Sequence, residues 1–121
     1  MKKRLRNEFD EAVQLKERGD LDAARRILVK LHQCDPSSPT LLAVLADTCW
    51  ELGHIEEATK YFEQASALKP KCEALSLGLF HCLWDCNRTD EAFNEMRRFL
   101  AENESEEYNR LLTDINRNGG S

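Results

Sequence analysis

Glycine, proline and aromatic residues are scarce in this 121-residue chain. It has five glycines and three prolines, and only 7% of its residues are aromatic. Hydrophobic residues make up 41% of the chain and charged residues 32%, which is enough apolar material to bury a core. So few helix breakers in a globular composition favour helices joined by short connections. We predict a single all-α domain.

The sequence also lacks long apolar runs and an excess of positive charge. No stretch approaches the about 18 consecutive apolar residues of a membrane span, so we predict no membrane insertion. The net charge of -5 argues against a protein that holds nucleic acid mainly through phosphate contacts. The basic start "MKKRLR" is followed by charged rather than apolar residues, so we predict no signal peptide and a cytoplasmic location. This basic stretch is either a solvated helix start or a contact with an acidic partner or a lipid surface.

Catalytic motifs are missing as well. The chain has no glycine-rich phosphate loop, no G-x-S-x-G elbow and no H-E-x-x-H pair. Cys82 and Cys86, in "HCLWDC", are spaced to share one helix face and would suit a zinc ion. A closed zinc site takes four ligands, however, and cysteine also serves as a small apolar residue in tight helix contacts. We therefore predict free thiols, no metal, no cofactor and no enzymatic activity.

Helix-breaking residues recur at a fixed interval. Gly19, Gly53 and Asn87 follow one another every 34 residues. A period of this length is typical of stacked helical repeats, and at such a turn glycine, or next most readily asparagine, adopts a left-handed backbone. The apolar columns in register with them are Ala24, Ala58 and Ala92; Leu28, Phe62 and Met96; Leu31, Ala65 and Phe99.

The middle unit carries the fullest pattern: Leu42, Leu45, Ala46, Cys49, Gly53, Ala58, Phe62 and Pro70. This pattern resembles the tetratricopeptide repeat family, over about residues 5–104. The resemblance implies a right-handed superhelix, an α-solenoid, of three antiparallel helix pairs, with repeats at about 5–38, 39–72 and 73–104. The first unit departs from the pattern at Glu8 and Glu11, and the third at Ser76, Phe80 and Glu104.

A seventh helix is predicted after the third unit. In "SEEYNRLLTDINRN", Tyr108, Leu111, Leu112 and Ile115 form one apolar stripe at helical spacing. Solenoids need such a helix to shield the last repeat from water. We predict a capping helix at about 105–117 and a flexible tail at 118–121, within a single domain at 1–117.

The resemblance also implies a binding surface, because the first helices of such pairs line a concave groove in which the family binds peptides. Trp50 and Trp84 occupy the same column there, either as anchors for a partner or as packing residues. The fifth helix is apolar almost all round, so something should cover part of it. The predicted groove residues are Phe9, Val13 and Lys16 in the first unit; Ala43, Asp47, Trp50 and Glu51 in the second; Leu77, His81, Trp84 and Asp85 in the third.

The leading hypothesis is a non-catalytic adaptor or chaperone-like module that binds a peptide or helical segment of another protein, basic or amphipathic in character. One alternative is a structural subunit of a larger assembly or homo-oligomer. Another follows from a resemblance to class II type III secretion chaperones, which cradle extended segments of translocators. The sequence does not determine the oligomeric state.

Family members that capture acidic chaperone C-termini use a clamp of Lys, Arg and Asn. Here those columns hold Phe9, Val13, Val44, Ala74 and Gly78, so we predict no such capture.

Overall fold

Seven helices follow one another in the computed structural model, which describes residues 3–119. Within that range there is no strand, and no helix combines the length and hydrophobicity needed to cross a membrane. The helices are α1 (Lys3–Glu17), α2 (Leu21–Cys34), α3 (Pro39–Glu51), α4 (Ile55–Leu68), α5 (Glu73–Asp85), α6 (Thr89–Leu100) and α7 (Glu106–Gly119). The predicted all-α solenoid of three helix pairs and a capping helix is confirmed.

The turn inside each pair has the predicted left-handed residue. The φ angles of Gly19, Gly53 and Asn87 are +91°, +84° and +63°. At each turn the next backbone N–H donates to a carbonyl five residues earlier, which satisfies an orphan carbonyl at the helix end. These bonds run from Asp20 to Leu15 (2.8 Å), from His54 to Cys49 (2.8 Å) and from Arg88 to Leu83 (2.9 Å). The same local chemistry therefore ends α1, α3 and α5.

Helix boundaries elsewhere also follow local signals. The Oγ of Ser38 accepts a hydrogen bond from the backbone N–H of Leu41 (3.3 Å), and Pro39 occupies the first turn of α3. At the other end of the chain, α7 continues through Gly119 because no strong helix breaker precedes that residue. The predicted flexible tail at 118–121 stays a prediction, and two of its residues, 120 and 121, lie outside the described range.

The first helices lie side by side. Helix α3 contacts both α1 and α5 directly, so α1, α3 and α5 share one surface. Charged side chains connect two of the second helices, as Arg25 of α2 does with Glu57 of α4. The resemblance to the repeat family implies that the first helices line the concave side, so we call the surface of α1, α3 and α5 the inner face.

The alanine column lies at the centre of each helix pair. Ala24, Ala58 and Ala92 are fully buried, where two helices approach too closely for a larger side chain.

Replacing Ala58 with leucine should therefore lower the free energy of unfolding by about 1–3 kcal/mol, because the added methylenes overpack the α3–α4 contact. The matched control is Ala67→Leu, on the exposed face of the same helix, which should change it by less than about 0.5 kcal/mol. Urea denaturation followed by circular dichroism measures both. Equal stability of the two variants would contradict this placement of Ala58.

Helix α7 is attached through Tyr108, which is fully buried against the third unit. Its ring packs edge-on against Phe80, with ring centroids 5.7 Å apart, and its hydroxyl lies 2.6 Å from the Oγ of Ser76. Ser76 also donates to Glu95 (2.6 Å), a buried carboxylate that Arg98 holds from its own helix. This network explains why Ser76 departs from the repeat pattern. It also shows that α7 covers part of the unusually apolar α5.

Restoring the repeat pattern at this position should be harmful. Ser76→Leu should lower the free energy of unfolding by about 1–3 kcal/mol or more. The larger side chain would collide with Tyr108, and the buried hydroxyl of Tyr108 and carboxylate of Glu95 would each lose a hydrogen-bond partner. Glu8→Leu restores the pattern in the same column of the first unit, at a partly exposed site, and should have little effect. Thermal melts of the two variants provide the comparison. A Ser76→Leu protein as stable as the wild type would contradict the network.

Candidate functional site

The predicted groove residues all lie on α1, α3 and α5, the helices of the inner face. They differ in exposure. Phe9, Ala43 and Leu77 are half-buried and pack against the core, and Val13 is also half-buried. Trp50 and Trp84 keep 40% and 38% of their surface exposed, which is unusual for side chains of this size. The exposed charged and polar members are Glu51, His81 and Asp85.

Lys16 joins the first and second units on this face. Its Nζ lies 2.8 Å from the Oδ2 of Asp47 and 2.8 Å from the Oε1 of Glu51. Burial alone would lower the pKa of Lys16, but its hydrogen bonds to the two carboxylates outweigh that effect and raise the pKa. The only lysine among the predicted groove residues therefore stays charged and is already paired with two anions.

Trp50 joins the second and third units in the equivalent way. Its indole N–H donates to the Oδ2 of Asp85 at 3.0 Å. Lys16 and Trp50 belong to one column, and each contacts the carboxylate 35 residues later in the chain. We call these two contacts, Lys16–Glu51 and Trp50–Asp85, the inter-repeat ladder. The ladder fixes the edge of Trp50 while leaving much of its ring exposed.

Trp84, the third member of the column, has different surroundings. Its ring stacks on Phe80, with centroids 5.9 Å apart and planes at 21°, and packs edge-on against Phe93 of α6 at 5.8 Å. The position 35 residues later is Gly119, which has no side chain to continue the ladder. Trp84 is therefore held by aromatic packing within its own unit, and the two tryptophans are not equivalent.

A cleft of about 280 Å³ opens beside Trp50, between the second and third units. Two of its lining residues approach each other closely, because a Cβ at Gly78 would lie 2.6 Å from the ring of Phe62. The sequence-based prediction placed three of the lining residues in the groove and missed the other three. A glycine in the interior of α5, where it weakens a helix, is the signal that marks such a close approach. The lining residues are Asp47, Trp50, Phe62, Gly78, His81 and Cys82.

The cysteines next to this cleft are poorly suited to metal binding or nucleophilic chemistry. Burial raises the pKa of the Cys82 thiol to about 12, so the thiolate that would bind a metal is not formed near neutral pH. Cys86 directly follows the last residue of the same helix, with its Sγ 3.7 Å from the Oγ1 of Thr59. Over the described residues, no three His, Cys, Asp or Glu side chains come close enough together to hold a metal ion. Packing and hydrogen bonding account for both thiols.

The profile of one protein family, described as Tetratricopeptide repeat, matches residues 53–115, more than half of the chain. The chain belongs to the tetratricopeptide repeat (TPR) family. This family typically provides non-catalytic scaffolds for protein interactions, and no enzyme family is indicated. No curated protein sequence matches this TPR chain at a significant level.

Solved structures show the same fold at low sequence identity. The first TPR domain of Spaghetti (RPAP3), bound to the HSP90 peptide SRMEEVD, superposes with a TM-score of 0.81 at 19% identity, over 97% of this chain and 94% of that one. The Yersinia enterocolitica type III secretion chaperone SycD, in complex with a peptide of the translocator YopD, gives 0.79 at 15% identity, over 95% and 88%. MamA from Desulfovibrio magneticus gives 0.75 at 18% identity, over 84% of this chain but only 57% of that one.

Proposed function

We propose that this TPR chain is an adaptor or chaperone-like module, located in the cytoplasm, which holds a peptide or helical segment of another protein against α1, α3 and α5. The observation that carries the proposal is the exposed ring of Trp50 beside an open cleft on the inner face. Large aromatic side chains that stay exposed at a concave surface are common anchors in protein interfaces. The hydrogen bond to Asp85 presents this ring in a fixed orientation before a partner arrives.

The charge of the inner face favours a basic or amphipathic segment. Three carboxylates, those of Asp47, Glu51 and Asp85, lie around the cleft and the ladder. Among residues 3–117, Lys16 is the one cation that pairs with any of them. Half-buried apolar residues such as Phe9 and Leu77 extend the surface along the groove. A partner with one apolar face and nearby positive charges matches both properties.

Two of the structural neighbours support peptide binding on this fold. The Spaghetti domain was solved with an HSP90 peptide and SycD with a peptide of its translocator. Sequence identities of 19% and 15% to these two proteins support a shared fold but not a shared ligand. The kind of peptide is therefore inferred from the residues of this chain.

A second candidate function is a subunit of a larger assembly or a homo-oligomer. The observation in its favour is a broad surface depression between α1 and α2, where Leu5 and Ile27 are only partly buried at the start of the stack. Size-exclusion chromatography with light scattering distinguishes the two proposals. A stable homo-oligomer at micromolar concentration would favour assembly, and a monomer would favour peptide binding.

The proposed function is tested by quantitative capture from a lysate of the native cell. Tagged wild type is compared with Glu51→Gln on the inner face and with Lys60→Ala on the exposed side of α4 as the control. We expect at least one co-purifying protein to be reduced by the inner-face variant and unaffected by the control. Partners that depend on Lys60 instead would overturn the proposed site.

A related prediction concerns acidic peptides. The peptide SRMEEVD should not bind measurably to this chain, because the clamp columns hold Phe9, Val13, Val44, Ala74 and Gly78 and the remaining inner face is acidic. Isothermal titration calorimetry is the measurement. Tight binding that is abolished when the C-terminal carboxylate is amidated would refute the prediction.

A further inference from the structure

We propose that the cleft beside Trp50 receives one long cationic side chain, an arginine or a lysine, from the bound segment. The inference rests on the proposed function and specifies which chemistry the inner face recognises. It follows from the size of the cleft, the apolar character of its floor and the distribution of charge at its mouth.

The cleft has room for one side chain. Its volume of about 280 Å³ is below the about 300–1,000 Å³ typical of pockets for whole small molecules. The ring of Phe62, the backbone of Gly78 and the buried Cys82 form an apolar floor. Arginine and lysine have apolar stems that lie against such surfaces while their charged ends remain near water. The cleft therefore matches the stem of a long cationic side chain in volume and in apolar character.

The charge at the mouth of the cleft is incompletely neutralised. Asp47 lines the cleft, but it shares Lys16 with Glu51. Asp85 does not line the cleft but adjoins it through the N–H of Trp50, and it takes part in no ion pair within residues 3–117. An incoming cation beside Trp50 would therefore meet a carboxylate whose charge is not balanced by any cation of those residues.

The hydrogen bond of Trp50 adds a second attraction. An anion at the indole N–H polarises the ring and makes its face more negative. A cation over the face of a tryptophan is attracted by that negative charge, and tryptophan is the strongest of the aromatic residues in this respect. The Trp50–Asp85 hydrogen bond thus orients the ring and also increases the attraction between the face of the ring and a cation.

The first unit contains an intramolecular example of the same recognition. Lys16 occupies the column of Trp50, and its ammonium group contacts Asp47 and Glu51 while only 19% of its side chain remains exposed. A lysine side chain therefore already lies on this face with its charged end between carboxylates. One unit further along, Asp85 corresponds to Glu51 and His81 stands in the column of Asp47, so the proposed occupant would meet the carboxylate of Asp85 there.

Nuclear magnetic resonance with small probes tests the inference. ¹⁵N-labelled protein is titrated with n-butylguanidinium, n-butylammonium and the neutral analogue n-butylurea at millimolar concentrations. The Gly78 amide and the Trp50 indole N–H report on the cleft, and the Trp84 indole N–H serves as the internal reference. We expect one or both cations to bind at the cleft at least about tenfold more tightly than butylurea, a difference of about 1.4 kcal/mol. The two cations distinguish an arginine site from a lysine site.

Asp85→Asn is the decisive variant, because asparagine can still accept the Trp50 hydrogen bond but carries no charge. It should reduce cation binding to the level of butylurea, while Asp114→Asn on α7, which removes the same charge from an exposed site, should not. Equal binding of all three probes, or cation shifts that are unaffected by Asp85→Asn, would overturn the proposal in favour of an apolar anchor.

The probe titration and the capture experiment distinguish a failure of the inference from a failure of the proposed function. If the cations do not bind the cleft but Glu51→Gln still loses a partner, the inner face binds protein through other chemistry and the inference is wrong. If the cations bind as expected but no partner depends on the inner face, the inference about the cleft holds and the proposed function is wrong.

Discussion

Leu45→Ala should lower the free energy of unfolding by about 2–5 kcal/mol, the range found for cavities left in well-packed cores. Leu45 is fully buried in the middle of α3, the helix that contacts α1, α2, α4 and α5. A cavity there weakens the packing at the centre of the stack. Urea denaturation with circular dichroism at 25 °C measures the loss.

The matched control for this prediction is Leu68→Ala. Leu68 ends α4 with 45% of its surface exposed, so the same truncation should cost far less. A loss below about 1 kcal/mol for Leu45→Ala, or equal losses at the two leucines, would show that α3 is not the centre of the stack.

Trp50→Ala should weaken capture of a partner by more than about 2 kcal/mol, the threshold for an interface hot spot. Its effect on folding should be smaller, because the variant loses one exposed hydrogen bond, to Asp85, and a ring that keeps 40% of its surface exposed. Such a bond contributes about 0.5–1.5 kcal/mol to stability. Binding is measured with the partner identified by capture, and stability by urea denaturation.

Trp84→Ala provides the comparison for Trp50. Its ring packs against both Phe80 and Phe93, so truncation should affect folding more than Trp50→Ala does. If Trp84→Ala reduced capture and spared stability as Trp50→Ala should, the two residues would be equivalent anchors. The packing around Trp84 argues against that result.

The backbone of this fold could be predicted because its signals are local. A left-handed residue at Gly19, Gly53 and Asn87, and a capped start at Ser38, depend on a few neighbouring residues whose preferences are known. The fixed 34-residue spacing then places the buried columns in register. The helices and the stacking therefore followed from the sequence.

The details of the inner face could not be predicted, because they depend on side chains from different units. The inter-repeat ladder joins residues 35 positions apart, and a resemblance that places Lys16 and Trp50 in one column does not say which partner each one reaches. The prediction treated Trp50 and Trp84 alike, yet their neighbours differ. Predicting the cleft would have required the distance between the ring of Phe62 and Gly78. The only sign of that close approach in the sequence is a glycine in the interior of a helix.

The contacts of the capping helix could not be predicted for the same reason. Its apolar stripe was evident, but the hydrogen bonds of Tyr108 with Ser76, and of Ser76 with Glu95, connect three helices. Ser76 alone looked like a departure from the pattern. Its role depends on the hydroxyl that α7 brings to it.

We propose that Trp50 is a surface for a partner and not a core residue. Stability and partner capture, measured side by side for wild type, Trp50→Ala and Leu45→Ala, distinguish these two roles. We predict that Trp50→Ala unfolds close to wild type and loses the partner, whereas Leu45→Ala unfolds much earlier. If Trp50→Ala unfolds as early as Leu45→Ala, Trp50 is a core residue and the assembly-subunit proposal becomes the better one.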